Sequence, residues 1–201
     1  IAFAVVIGDL VGTASESSIA SAKGALGALK KPWKAVLGNH DVALNQPDIF
    51  GRFTAAFGPV HWRQDLENWT LLGYNTCVKT DSDVTVGAAE IAWLKEQAAA
   101  LPADRPVALF GHHPLNPSTR KYRIANAEEI LALFAGRMLR LSASGHWHGN
   151  QEESRDGVLF TTTACCSSTR NNFDDTPRKG YRLFCFGGNT VNTEFVEVKN
   201  G

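Results

Sequence analysis

Four short apolar runs each stop at a glycine, and each glycine is followed at once by side chains that can bind a metal ion. They are Ala4-Val-Val-Ile7 before Gly8-Asp9 and Ala35-Val-Leu37 before Gly38-Asn39-His40-Asp41. Next come Val107-Ala-Leu-Phe110 before Gly111-His112-His113-Pro114, and Leu139-Arg-Leu-Ser-Ala-Ser144 before Gly145-His146-Trp147-His148. Apolar runs of this length, bounded by glycine, read as buried strands. In open α/β sheets ligands lie beyond the carboxyl ends of the strands. A glycine there lets the backbone turn sharply and approach a ligand closely. All four groups are therefore expected at one rim. The chain has 6 histidines, and only His61, beside Trp62, falls outside these groups. His61 is read as a surface or packing residue.

Strands are expected over 2–7, 34–37, 69–73, 107–110 and 139–143, and helices over 15–30, 46–57, 88–100 and 126–136. That alternation argues for α/β layering. The last third changes character. Strands are expected over 157–162, 181–186 and 190–196, with Gly187-Gly188-Asn189 as a hairpin turn between the last two. Residues 165–180 are polar and read as a loop. No linker divides the chain, so one α/β domain over residues 1–201 is expected: two β-sheets packed as a sandwich with helices outside.

The convergent ligand set is carboxylate, amide oxygen and imidazole, without thiolate. That suits Mn, Fe, Zn or a mixed pair rather than a structural cysteine-rich zinc. Two cations about 3.5–4 Å apart can hold a bridging hydroxide and stabilise attacking and leaving oxygens together. Phosphate esters need such help because negative charge crowds the reacting phosphorus. Cys77, Cys165, Cys166 and Cys185 match no zinc-finger spacing and read as reduced thiols. Lys+Arg and Asp+Glu both count 20, which gives no basic excess for nucleic acid or an anionic membrane.

Gly8-Asp9, Gly38-Asn39-His40-Asp41, His112-His113-Pro114 and Gly145-His146-Trp147-His148 together resemble the calcineurin-like metallophosphoesterases. The resemblance implies a four-layer α/β/β/α fold and hydrolysis of phosphate esters by a hydroxide bridging two metal ions. It implies that Asp9 bridges both ions, that Asn39, His112 and His146 complete one position, and that His148 binds the other. His40 would lie near a small phosphate-ester substrate as proton donor or transition-state stabiliser. Asp41 is expected to be a structural partner of its loop, and His113 to stand behind the ligands. A weaker likeness, in Phe50–Pro59 and Ala92-Trp93-Leu94, points toward cyclic-nucleotide phosphodiesterases and purple acid phosphatases.

The family pattern opens with Asp-x-His on a strand upstream of Gly-Asp, and none precedes Gly8 here. Because Ile1 opens directly into an apolar run, the sequence is expected to be an N-terminally shortened piece of a longer chain and to lack the first strand; ligands supplied otherwise remain the alternative. The position served by His148 then keeps only His148 and Asp9. The rival to an enzyme is a catalytically impaired metal-binding module of the same fold. The segments 114–124, with Arg120, Lys121 and Arg123, and 165–180 are expected to line the approach.

Overall fold

A computed structural model describes residues 1–119 and 121–198. The strands are β1 (Ala4–Ile7), β2 (Trp33–Val36), β3 (Trp62–Asp65), β4 (Thr70–Gly73), β5 (Pro106–Phe110), β6 (Met138–Ser144), β7 (Gln151–Arg155), β8 (Val158–Thr162), β9 (Gly180–Gly187) and β10 (Thr190–Glu197). The helices are α1 (Glu16–Gly27), α2 (Gly51–Phe57), α3 (Ala88–Ala99) and α4 (Ala127–Leu133). Six strands form one sheet in the order β3-β4-β5-β6-β8-β7. Its centre, β4 to β5 to β6 to β8, is parallel, and β3 and β7 join as antiparallel edges. β1 and β2 form a parallel pair, and β9 and β10 an antiparallel hairpin turning at Gly188-Asn189.

Apolar burial explains the layering. One face of the large sheet contributes Leu72, Val107, Leu109 and Phe160, which pack on Leu94, Ala98, Ala127 and Ile130 of α3 and α4. The other face contributes Trp62, Leu71, Phe110, Leu141 and Ala143, which meet Val5, Ile7 and Val36 together with Phe184 and Phe186. The outer side of β1 and β2 carries Val6 and Ala35, with Leu37 just after β2, and is covered by Ile19, Phe53 and Phe57 of α1 and α2. The order is therefore helices, small strand pairs, large sheet, helices. Among the described residues the second sheet is two hydrogen-bonded pairs rather than one continuous sheet, because β1 has β2 as its only backbone partner.

Every expected central strand is present within a residue or two. β3 and β7 were not expected. Their sequences, Trp-Arg-Gln-Asp and Gln-Glu-Glu-Ser-Arg, are polar because both are edges, and charged edges resist pairing with other chains. The expected helices are also shorter at the ends. The span 46–57 yields α2 only from Gly51, because Asp48 first closes a turn, accepting from the Phe50 and Gly51 amides. The span 126–136 yields α4 only to Leu133, and Gly136 follows with φ +74°. α1 starts where Ser15 accepts from the Ser18 amide, and stops at Gly27. No helix among the described residues is long and apolar enough to cross a membrane.

Candidate metal centre

The carboxyl ends of β1, β2, β5 and β6 open on one rim, as the four glycine motifs require. Two glycines are sterically obligatory there. A Cβ on Gly38 would lie 2.0 Å from the Asp9 nitrogen, and one on Gly8, whose φ is +74°, would lie 2.3 Å from His112 Nδ1. The strand ends therefore pass each other at backbone contact, which lets short side chains meet.

They meet around His112 Nε2. Asp9 Oδ1 lies 3.3 Å from it, Asn39 Oδ1 3.2 Å and His146 Nδ1 3.1 Å. Asp9, His112 and His146 each place a ligand atom within 4.8 Å of the others. Three positions near this point adopt left-handed backbone without being glycine: Asp9 at φ 50°, His146 at φ 56° and His148 at φ 50°. Such conformations cost of order 1–3 kcal/mol each and persist where surroundings enforce them, commonly at functional sites.

Neighbouring groups fix how these donors point. His112 Nδ1 lies 2.9 Å from the Ile7 carbonyl, which requires a proton on Nδ1 and turns Nε2 toward the cluster. Asn39 Nδ2 donates to the Thr80 carbonyl at 3.2 Å, so Oδ1 is the atom facing His112. With Nε2 unprotonated, a carboxylate, an amide oxygen and an imidazole nitrogen would all present lone pairs to one another, and a cation satisfies them together. A proton can substitute for it. Burial works against charging His112, but the adjacent Asp9 carboxylate prevails and raises its pKa. Burial likewise works against the Asp9 carboxylate, yet the charge and hydrogen bond of His112, with the His40 amide, hold it well below the usual range. His146 is pushed down to about 3 by burial and by the charge on His112, so it is a neutral donor at ordinary pH. The donor set fits a divalent cation.

Asp41, His40 and His113 lie around this core. Asp41 is fully buried, and its two oxygens accept from the Val11 amide at 3.1 Å and the Gly38 amide at 2.9 Å. It clamps the loop. Burial raises its pKa to about 6. His40 reaches the rim with Nδ1 2.9 Å from the Gly12 carbonyl, which leaves Nε2 for a substrate, and its amide donates to Asp9. His113 is buried behind the cluster, with Nδ1 2.8 Å from the Thr76 hydroxyl and its ring 4.2 Å from that of His146. Burial, with the charge on His112, pushes it down to about 2. Of the adjacent pair, His112 is thus the one at the cluster.

His148 is not among the three clustered residues. Its Nδ1 lies 3.2 Å from the Asn171 carbonyl, and its ring stacks on Phe173 at 5.2 Å and 5°. His61, as expected, packs: it pairs with Glu90 at 3.2 Å and stacks on Trp93. The four cysteines are free thiols. Arg123 turns away to Glu128 at 2.7 Å, and Arg120 lies outside the described residues. Tyr122 and Phe173, from the segments 114–124 and 165–180, lie beside His146 and His148; Thr76 and Thr80 also shape the site from a loop, where no periodicity marks them.

A strand-end rim of carboxylate, amide and imidazoles on an α/β sandwich defines a metallohydrolase-type scaffold. The profile of the calcineurin-like phosphoesterase family matches residues 2–150, and the chain belongs to that family. A "Probable cyclic nucleotide phosphodiesterase" of Rhodopseudomonas palustris is 31% identical over 170 residues, covering 74% of this chain and 60% of that protein. A protein of the same description from Psychrobacter arcticus is 26% identical over 83% of this chain and 66% of its own length. The chain thus spans about two thirds or less of these relatives. Among solved structures, a dimetal phosphatase from Danio rerio superposes with a TM-score of 0.65 at 15% identity, over 96% of this chain and 83% of that one. GAP50 of Plasmodium, described as the anchor in the inner membrane complex, superposes with a TM-score of 0.69 at 14% identity, over 98% and 74%. At these identities the structures share the fold.

Proposed function

We propose that this chain carries the metal-binding body of a phosphodiester hydrolase. One observation carries the reading: Asp9, Asn39 and His146 all place a ligand atom within 3.3 Å of His112 Nε2, with His112 and Asn39 oriented by the Ile7 and Thr80 carbonyls. Asp9, Asn39, His112 and His146 would hold a divalent cation, with His148 and Asp9 facing a second. Bound there, such ions supply electrophilic charge to phosphoryl oxygens and acidify a water. The protein's own groups do the rest. The Ile7 and Thr80 carbonyls keep lone pairs aimed inward. His40, anchored on Gly12 through Nδ1–H, would in its doubly protonated form hand the proton on Nε2 to the departing oxygen. The substrate would be a small phosphate diester, and the two cyclic-nucleotide relatives favour a nucleotide.

One observation favours a second reading, a metal-holding module without turnover: the clustered donors surround one point, and His148 stands outside it. Hydrolysis of an activated aryl phosphodiester with Mn²⁺ separates them. The enzyme reading expects metal-dependent turnover that His112→Ala abolishes and His40→Ala lowers about 10²–10⁴-fold. Mn²⁺ binding at the cluster without any turnover would establish the module instead.

A further inference from the structure

Beside the metal cluster, one wall of the site is built of rings. Tyr122 sets its ring edge-on to His146 at 4.9 Å, and 6.2 Å from Phe173. Phe173 in turn lies nearly parallel to His148. Two aromatic side chains from different loops therefore connect the two strand-end histidines. Neither is ordinary packing. Phe173 is 51% exposed in an otherwise polar loop, so a ring with one face on His148 leaves apolar surface to solvent. Tyr122 sits at φ 63°, an uncommon conformation for a bulky residue. The loop is also held in place: the Phe173 amide donates to the His148 carbonyl at 3.2 Å, and Asp174 accepts from the Asn150 amide at 2.8 Å. An exposed aromatic face, fixed next to the expected phosphate position, suits a flat ligand group.

We propose that Tyr122 and Phe173 form a stacking subsite for a planar aromatic group carried by the substrate. The proposal rests on the phosphoester reading above. It makes these two residues determinants of specificity, since stacking on a π face tolerates any base or aryl ring but rewards flatness. A substrate whose phosphate is seated at Asp9, Asn39, His112 and His146 would lay its ring against the open face of Phe173, with Tyr122 closing the side.

The test compares ligands with and without a ring, by titration calorimetry on the Mn²⁺-loaded protein. AMP is set against ribose 5-phosphate, and phenyl phosphate against methyl phosphate. AMP is expected to bind about tenfold tighter than ribose 5-phosphate. Phe173→Leu, which keeps apolar cover on His148 but removes the flat face, is expected to bring that ratio to near one by weakening AMP, with Mn²⁺ still bound. A preference in the nucleoside pair assigns the subsite to a base; a preference in the phenyl pair alone assigns it to an aryl group. Equal binding of ringed and ringless ligands to the unsubstituted protein would overturn the subsite. So would a Phe173→Leu protein that keeps the full ratio, or one that loses Mn²⁺ and both ligands together, since the ring would then only support His148. If none of the four phosphates binds, the subsite fails; if an activated aryl phosphodiester is also neither bound nor hydrolysed, the phosphoester reading fails with it.

Discussion

On one side of the site, Asp9, Asn39, His112 and His146 leave strand ends, with His112 and Asn39 held by the Ile7 and Thr80 carbonyls, Asp9 by the His40 amide, and the Gly38 turn by Asp41. On the other, His148 and Phe173 depend on a polar loop whose anchors are hydrogen bonds between residues 148–150 and 171–174. The first side is set by sheet geometry and close backbone contact, with little freedom to relax. The second is set by side-chain and loop hydrogen bonds outside the sheets. The contrast teaches where tolerance lies: small changes at the strand ends should damage folding and metal binding together, and changes in the loop should act on the second position and on ligand preference.

The largest effect is expected at Gly38. Its alanine would place a methyl 2.0 Å from the Asp9 backbone, and overpacking of this kind costs about 1–3 kcal/mol or more. Denaturant unfolding of Gly38→Ala should show that loss, with Mn²⁺ binding gone as well; unaltered stability and binding would break the rigid side of the comparison.

Next stands Thr76→Val, which leaves His113 Nδ1 buried without its partner. A buried polar group so orphaned costs about 1–3 kcal/mol. Because His113 packs on His146, Mn²⁺ affinity should also fall about 10–100-fold, as for other groups that orient ligands. Titration of the folded variant checks this; loss of stability without loss of affinity would make His113 a packing residue alone.

A smaller effect is expected from Arg182→Leu. Arg182 joins β9 to the loop after His148 through Asn150, and to β7 through Glu152 at 2.8 Å. Its removal should raise amide hydrogen exchange in residues 148–155 and 171–176 and leave exchange in β5 and β6 alone. Exchange rising equally on both sides would erase the distinction.

The smallest lies away from the site. Burial raises the Glu90 carboxyl above its ordinary value, against the Asn75 amide and His61, which favour the ionised form. The folded state then binds the proton more tightly than the unfolded chain. The associated stability is fully present below the unfolded carboxyl pKa of about 4.3 and is lost as pH rises through the folded value. Glu90→Gln should flatten that part of the stability–pH curve; an unchanged slope would assign it elsewhere.

The same contrast explains what could be read from the sequence. β1, β2, β5 and β6 are parallel and apolar, so their runs announce them, and the residues after each glycine are carried to the rim by sheet geometry. β3 and β7 are polar edges, and an apolar search passes over them. Thr80 and Phe173 reach the site through loops whose course depends on what they pack against. Thr80 matters through a carbonyl, which no side-chain pattern reveals. The hairpin β9–β10 was legible because its turn glycines stand between two apolar runs, whereas the separation of the second sheet into two pairs depends on hydrogen-bond partners that strand patterns do not carry.

The central claim is that the strand-end residues make one cation site. Mn²⁺ titration of the protein, His112→Ala and His148→Ala, each first shown to be folded, tests it most directly. The account predicts that the tightest binding event disappears in His112→Ala and survives in His148→Ala, which loses at most a weaker second event. A His112→Ala protein that binds Mn²⁺ as tightly as the unsubstituted one would contradict it.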